Sequence, residues 1–185
     1  MGDFVKGPVS SHLPAELARH LHLHRQIDSY SAISPAFQCS RKRLDPGFRY
    51  ARAVLVDVFY DHFLACAWED YSSQPLYSFA QDVYRGLNSC FELLSPALQH
   101  QLPRMIEHDW LTSYREPVVV KRVLQRLETR IGHKFPLAEG FSELTRCRAG
   151  LEEDFSLFML EMKNEVATRK QKLKIDFEKI HREGP

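Results

Sequence analysis

An all-α single domain, a bundle of helices without a sheet, is what this sequence predicts, and three observations predict it. Apolar residues recur at three- and four-residue spacings along most of the chain. No run shows the period-two alternation between turn residues that marks a strand; Val118-Val119-Val120 is β-branched but leads straight into a charged helical pattern. The 185 residues suit one domain whose core needs no disulfide or metal staples.

Each helix has its own signal. Gly7-Pro8 marks a turn, after which Ser11 and Pro14 open a helix of about 14–30 with Leu13, Leu17 and Leu21 on its apolar side. Residues 31–47 hold two prolines, Gly47 and the basic run Arg41-Lys42-Arg43, and read as an ordered loop with room for a short helix. The stretch 48–70 is the most apolar helix, with Val54/Val58, Leu55/Phe59 and Phe59/Phe63 paired at i, i+4. Ser73 and Pro75 end it and start another helix through about Leu94. Ser95-Pro96 opens the next, which Pro103 is expected to kink or divide. Pro117 starts one that stops near Gly132. A final long helix runs from Phe141 to about Lys172, weakened by Gly150, with Leu151, Phe155, Phe158, Met159 and Met162 on one stripe. The domain is therefore expected to span 1–169, with 170–185 a charged tail.

Composition narrows the function classes. Apolar residues make up 44% and charged residues 26%, which excludes a disordered chain. A net charge of +1 argues against a domain built to hold nucleic acid. Apolar runs such as Phe63–Trp68 fall far short of the roughly 20 residues of a membrane span. The opening residues lack a basic-then-apolar pattern, so no secretory signal is expected. Cys39, Cys66, Cys90 and Cys147 form no C-x-x-C pair, which disfavours a thiolate zinc site and suits a reducing, cytoplasmic setting. There is no G-x-S-x-G elbow, Walker loop or G-x-G-x-x-G.

Four constellations carry ionisable chemistry. His20, His24 and Asp28 share one helix face at i, i+4, i+8, with Cβ separations of about 5–6 Å that one divalent ion can bridge; a histidine-rich polar face is the plainer reading. Asp57, Asp61 and His62 sit in the middle of the most apolar helix, where buried carboxylates need a cation or hydrogen-bond donors. That cluster points to metal binding or catalysis, the alternative being an ion pair with an arginine of another helix. Asp3, between Gly2 and Phe4, reads alone as a turn residue. His108-Asp109 reads as a helix-surface pair, since its neighbours Glu107 and Trp110 form no apolar helix centre.

Three segments in order, Gly2-Asp3-Phe4-Val5-Lys6-Gly7, His22-Leu23-His24-Arg25-Gln26-Ile27-Asp28 and Asp57-Val58-Phe59-Tyr60-Asp61-His62-Phe63-Leu64, resemble the bacterial acyl carrier protein phosphodiesterases. Trp110-Leu111 with Tyr114-Arg115 fits the same family, and the resemblance spans about 2–165. It implies an all-helical relative of the His-Asp phosphohydrolases that removes 4'-phosphopantetheine from holo-acyl carrier protein with a divalent cation, Mn²⁺ or else Mg²⁺. By that resemblance Asp3, His24, Asp28, Asp61 and His62 are metal ligands or their supports. Catalysis falls to Asp57 and Asp61, and Lys6 and Arg25 face the phosphodiester. The family's usual N-terminal helix, opening Met-Asn-aromatic-Leu-Ala-His, has no counterpart here.

A metal-bound water suits this linkage, because the ion lowers the water's pKa and neutralises phosphoryl charge. Carboxylate and imidazole donors suit Mn²⁺ or Mg²⁺. The carrier partner implied by the resemblance is acidic, and Arg41, Lys42, Arg43, Arg49 and Arg52 form a basic strip, opposed only by Asp45, that would steer it. A solvated basic loop is the alternative for the strip. A non-catalytic helical module for an acidic partner and a His-Asp-type nucleotide phosphohydrolase are the alternatives for the whole chain.

Overall fold

The computed structural model describes residues 15–182, with the side chains of 22–169 and 171. All its regular structure is helical: α1 (Ala15–Ser31), α2 (Pro35–Arg43), α3 (Ala51–Cys66), α4 (Leu76–Ser89), α5 (Pro96–Glu107), α6 (Trp110–Ser113), α7 (Pro117–Arg130), α8 (Phe141–Arg146) and α9 (Arg148–Arg182), with short 3₁₀ turns after α2, α3 and α4. Among the described residues there is no strand, and no helix is long and apolar enough to cross a membrane.

Local chemistry sets the starts. Pro35, Pro96 and Pro117 stand in the first turns of α2, α5 and α7, where a missing N–H costs nothing. Ser34 and Ser95 cap α2 and α5, accepting from the N–H groups of Phe37 at 3.2 Å and Leu98 at 3.4 Å. Arg41, Lys42 and Arg43 fill the last turn of α2, where positive charge complements the helix dipole. The loop expected over 31–47 is therefore largely helix. Pro103 lies inside α5, which continues through it undivided.

α3 is the centre. Leu55, Val56, Phe59 and Phe63 are buried on it, and they pack with Val120 and Leu124 of α7 and Leu151 and Phe155 of α9. The Phe155 ring meets Tyr60, Phe63 and Tyr71 at centroid distances of 5.3–5.9 Å. A smaller apolar cluster, Leu94, Leu98 and Leu102 with Leu87, joins α4 to α5. α1 packs on α9. The long helix expected from Phe141 is interrupted at Cys147, yet the helical hydrogen bonds on both sides persist (Cys147 N–H to Glu143 O, 2.9 Å; Leu151 N–H to Cys147 O, 3.0 Å). α8 is tied separately to the end of α2: the Glu143 carboxylate accepts the Asp45 N–H at 2.7 Å, and Arg146 donates to the Arg43 carbonyl at 3.0 Å.

α2 and α9 are joined through a buried carboxylate. Asp154 is only 3% exposed. Arg43 grips it with two parallel hydrogen bonds of 2.7 and 2.9 Å, Ser40 adds a third at 3.0 Å, and the Tyr60 hydroxyl lies 2.8 Å from the Ser40 hydroxyl. Burial raises the Tyr60 pKa, so its hydroxyl stays neutral. Gly150 lies under this grip: a Cβ there would stand 2.5 Å from Arg43 Nη1 and 2.7 Å from Cζ. The glycine that looked like a weak point of the helix is the space the guanidinium crosses.

A glycine-to-alanine change inside a helix ordinarily stabilises by about 0.5–1 kcal/mol. Here Gly150→Ala should displace the Arg43 guanidinium and lower stability by about 1–2 kcal/mol, whereas in an Arg43→Ala background it should raise stability by the ordinary amount. Urea unfolding of the four proteins checks this, and the same sign in both backgrounds would contradict the account.

Candidate active site

α3 is buried on nearly every side except one stripe. Val54, Asp57 and Asp61 are exposed along it, at spacings of three and four residues that place them on one face. The two carboxylates are thus solvated on an open face of the core helix, not buried as the apolar surroundings suggested. The stripe forms one wall of a cavity of about 680 Å³. The end of α5 contributes Gln101 and Arg104, followed by His108. The α6 turn contributes Trp110, Ser113 and Tyr114. α7 turns Val119, Val123, Arg126, Leu127 and Arg130 toward the same space.

Three braces hold the α6 turn in place. Asp109 takes a left-handed conformation (φ 39°) at the start of the turn, and the Tyr84 hydroxyl donates to its carboxylate at 3.2 Å while accepting the Leu111 N–H at 3.0 Å. Burial, reinforced by the Asp109 charge, outweighs the Leu111 N–H and pushes the Tyr84 pKa up to about 12. Arg115 donates to the Ala65 carbonyl at 2.9 Å and pairs with Glu69 at 2.7 Å, fastening the far side of the turn to the end of α3. His62, 1% exposed, has Nδ1 2.7 Å from the Tyr114 carbonyl. A carbonyl only accepts, so Nδ1 carries the proton in this bond. Tyr114 itself is held neutral, first by burial and then by the negative charge of Asp61, which leaves its hydroxyl a donor on the cavity wall.

The site residues expected from the sequence therefore separate. Asp57 and Asp61 meet at the cavity. His62 lies beneath it as a brace on Tyr114 and is not among the lining residues, because the residue after Asp61 on a helix points about a quarter-turn away. His24 and Asp28 lie on α1 outside the cavity; His24 Nδ1 is 2.8 Å from an Asp28 oxygen, an ion-pair approach rather than an aligned hydrogen bond. Arg25, also on α1, is half-buried and has an interaction of its own. Asp3 and Lys6 lie outside the described residues. Among the described residues no three His, Cys, Asp or Glu side chains converge as a metal site would require.

The basic strip divides as well. Arg43 is committed to Asp154, and Arg52 donates to the carbonyls of Arg49 at 3.1 Å and Arg41 at 3.4 Å. Arg41 donates to Gln38 at 3.1 Å, while Lys42 and Arg49 are exposed. His108, read from sequence as half of a surface pair, lines the cavity, and its neighbour Asp109 serves Tyr84 instead. Arg104, Arg126 and Arg130 are brought to the cavity by the fold. Their only sequence signal is the one-turn spacing of Arg126 and Arg130 on a helix whose buried face is Val120 and Leu124.

The cavity combines two carboxylates, three arginines and an apolar wall of valines and leucine, a lining whose chemistry suits an anionic, partly apolar ligand. The chain belongs to the acyl carrier protein phosphodiesterase family, whose model matches residues 1–162. It is 27% identical to the acyl carrier protein phosphodiesterase of Klebsiella pneumoniae over 163 residues, covering 88% of this chain and 84% of that protein. It is 24% identical to the Salmonella agona protein of the same name over 170 residues, 91% of this chain and 88% of the relative. No solved structure matches it.

The different placements of two adjacent residues predict different phenotypes. His62→Ala should cost about 2–4 kcal/mol of stability, from a buried void plus an orphaned Tyr114 carbonyl. Asp61→Asn, on the open stripe, should change stability by less than about 1 kcal/mol. Thermal and urea unfolding of both variants checks this; a neutral His62→Ala would remove the brace.

Proposed function

We propose that this chain hydrolyses the phosphodiester joining 4'-phosphopantetheine to a serine of holo-acyl carrier protein, releasing the arm and the apo-carrier. The family match over 1–162, together with the cavity that gathers Asp57 and Asp61 beside three arginines, supports this reading. Water adds its oxygen to phosphorus, the bond from phosphorus to the serine oxygen breaks, and that oxygen leaves as a hydroxyl with the water's second hydrogen.

The side chains present suit those demands. A carboxylate of the α3 stripe accepts a proton from the attacking water, and Asp61, beside the neutral Tyr114 hydroxyl, is the better placed of the two. Guanidinium groups neutralise the non-bridging phosphoryl oxygens as charge shifts during transfer. Tyr114 adds a hydrogen-bond donor on the α6 turn. The valines and Leu127 give the arm an apolar wall.

The donor set does not by itself fit a resident cation: His24 and Asp28 engage each other on α1, and Asp57 and Asp61 have no third donor converging on them among the described residues. A divalent ion, Mn²⁺ or else Mg²⁺, is proposed on the sequence resemblance alone, with Asp3, outside the described residues, among its ligands.

Turnover is read by the mass of the carrier, which falls by the phosphopantetheinyl group when holo becomes apo. The parent should convert holo-carrier, and Asp61→Asn should lower kcat by about 10²-fold or more, the usual contribution of a positioned base. Chelator-treated protein with and without added Mn²⁺ tests the ion. Binding of holo-carrier without turnover would favour a non-catalytic module, and turnover of nucleotides instead would move the chain to the nucleotide phosphohydrolases.

A further inference from the structure

Several arginines of this chain have an acid to hold. Arg43, Arg115, Arg146, Arg148 and Arg169 each reach a carboxylate. Arg104, Arg126 and Arg130 do not: among the described residues no ion pair or side-chain hydrogen bond engages their guanidinium groups, and all three are exposed on the same cavity. Arg126 and Arg130 stand one turn apart on one face of α7, and Arg104 comes from the last turn of α5. Like charges at i, i+4 repel, and no ion pair with a described acid offsets the repulsion. Asp57 and Asp61, on the α3 wall, have interactions of their own and no ion pair with these arginines. The ends of α5 and α7 soften the repulsion through their helix dipoles but do not complete the guanidinium donors.

We infer that Arg104, Arg126 and Arg130 form an anion subsite that holds the phosphate of the ligand, with the amide-bearing arm laid along Val54, Val58 and Val123. Planar guanidinium groups match phosphate oxygens two at a time, which a surface meant only for solvation does not require. A space of about 680 Å³ is of the size that encloses a small phosphorylated chain rather than a bare ion. The identity of the arm rests on the phosphodiesterase reading; the anion does not.

The test is calorimetric binding of free 4'-phosphopantetheine to the full chain, compared with pantetheine, which lacks the phosphate, and with apo-carrier, which lacks the whole group. The variants are Arg126→Gln/Arg130→Gln and Arg104→Gln, with Arg122→Gln as control, since it removes the same charge from α7 but does not line the cavity. The parent should bind phosphopantetheine about tenfold or more tightly than pantetheine, as charge-assisted bonds to two guanidinium groups imply. The double variant should lose that preference with an unchanged melting temperature, Arg104→Gln should reduce it, and Arg122→Gln should keep it. Absence of phosphopantetheine binding by the parent overturns the subsite. So does an unaffected double variant, or a loss of equal size in Arg122→Gln, which would show diffuse charge. Equal weakening of apo-carrier binding would make the arginines a protein-docking surface and overturns it too. If the parent turns over no holo-carrier yet binds phosphopantetheine with this arginine dependence, the subsite stands and the hydrolytic reading alone falls.

Discussion

A carboxylate sealed inside a protein must be paired, and the pairing of Asp154 organises this one. Arg43 and Ser40 reach it from α2, and the Ser40 hydroxyl is shared with Tyr60 of α3, so three helices meet at one charge. Ser34, at the start of α2, holds Glu161 one stretch further along α9, which fixes α2 at both ends. Gly150 keeps the path of the guanidinium clear. With α2 and α9 locked, Phe155 and Leu151 clamp the inner sides of α3, and the stripe of Val54, Asp57 and Asp61 is left to face outward.

The cavity is made by closing that stripe with elements anchored elsewhere. α7 is set by Val120 and Leu124, which are buried against α3, so its opposite flank carries Arg126 and Arg130 to the rim. The α6 turn is set by Tyr84, Arg115 and His62. Support and chemistry are thereby divided between neighbouring residues: Asp61 faces the space while His62 braces its wall, and His108 faces the space while Asp109 braces its own turn. A side chain tied down by its own hydrogen bonds holds a wall rigidly, and rigid walls are what keep reacting groups in register.

Signals that act over one helical turn were legible in the sequence. The starts of α5 and α7 are written as Ser-Pro and Pro, and the extents of α1 and α7 follow from periodicity and Gly132. α2 was the hardest, because nine residues rich in charge show little apolar period, although its Ser34-Pro35 start was there to be read. Asp57 and Asp61 read as a pair in the sequence and line one cavity, but a helix buried on almost all sides hides which stripe stays open, so their exposure is not legible there. Arg43 looked like part of a docking strip since its partner lies 111 residues away. The arginines of the cavity were illegible for the same reason: α5 and α7 are brought to one space by tertiary packing alone.

The central claim is that the cavity between α3 and α5–α7 receives the prosthetic arm. A holo-carrier whose arm ends in a photoreactive diazirine, irradiated on this protein and mapped by peptide mass spectrometry, tests it most directly. The account predicts labels within 54–61 of α3 and 119–130 of α7. Labels concentrated on 22–31 of α1, around His24 and Asp28, with the cavity peptides unmodified, would contradict it.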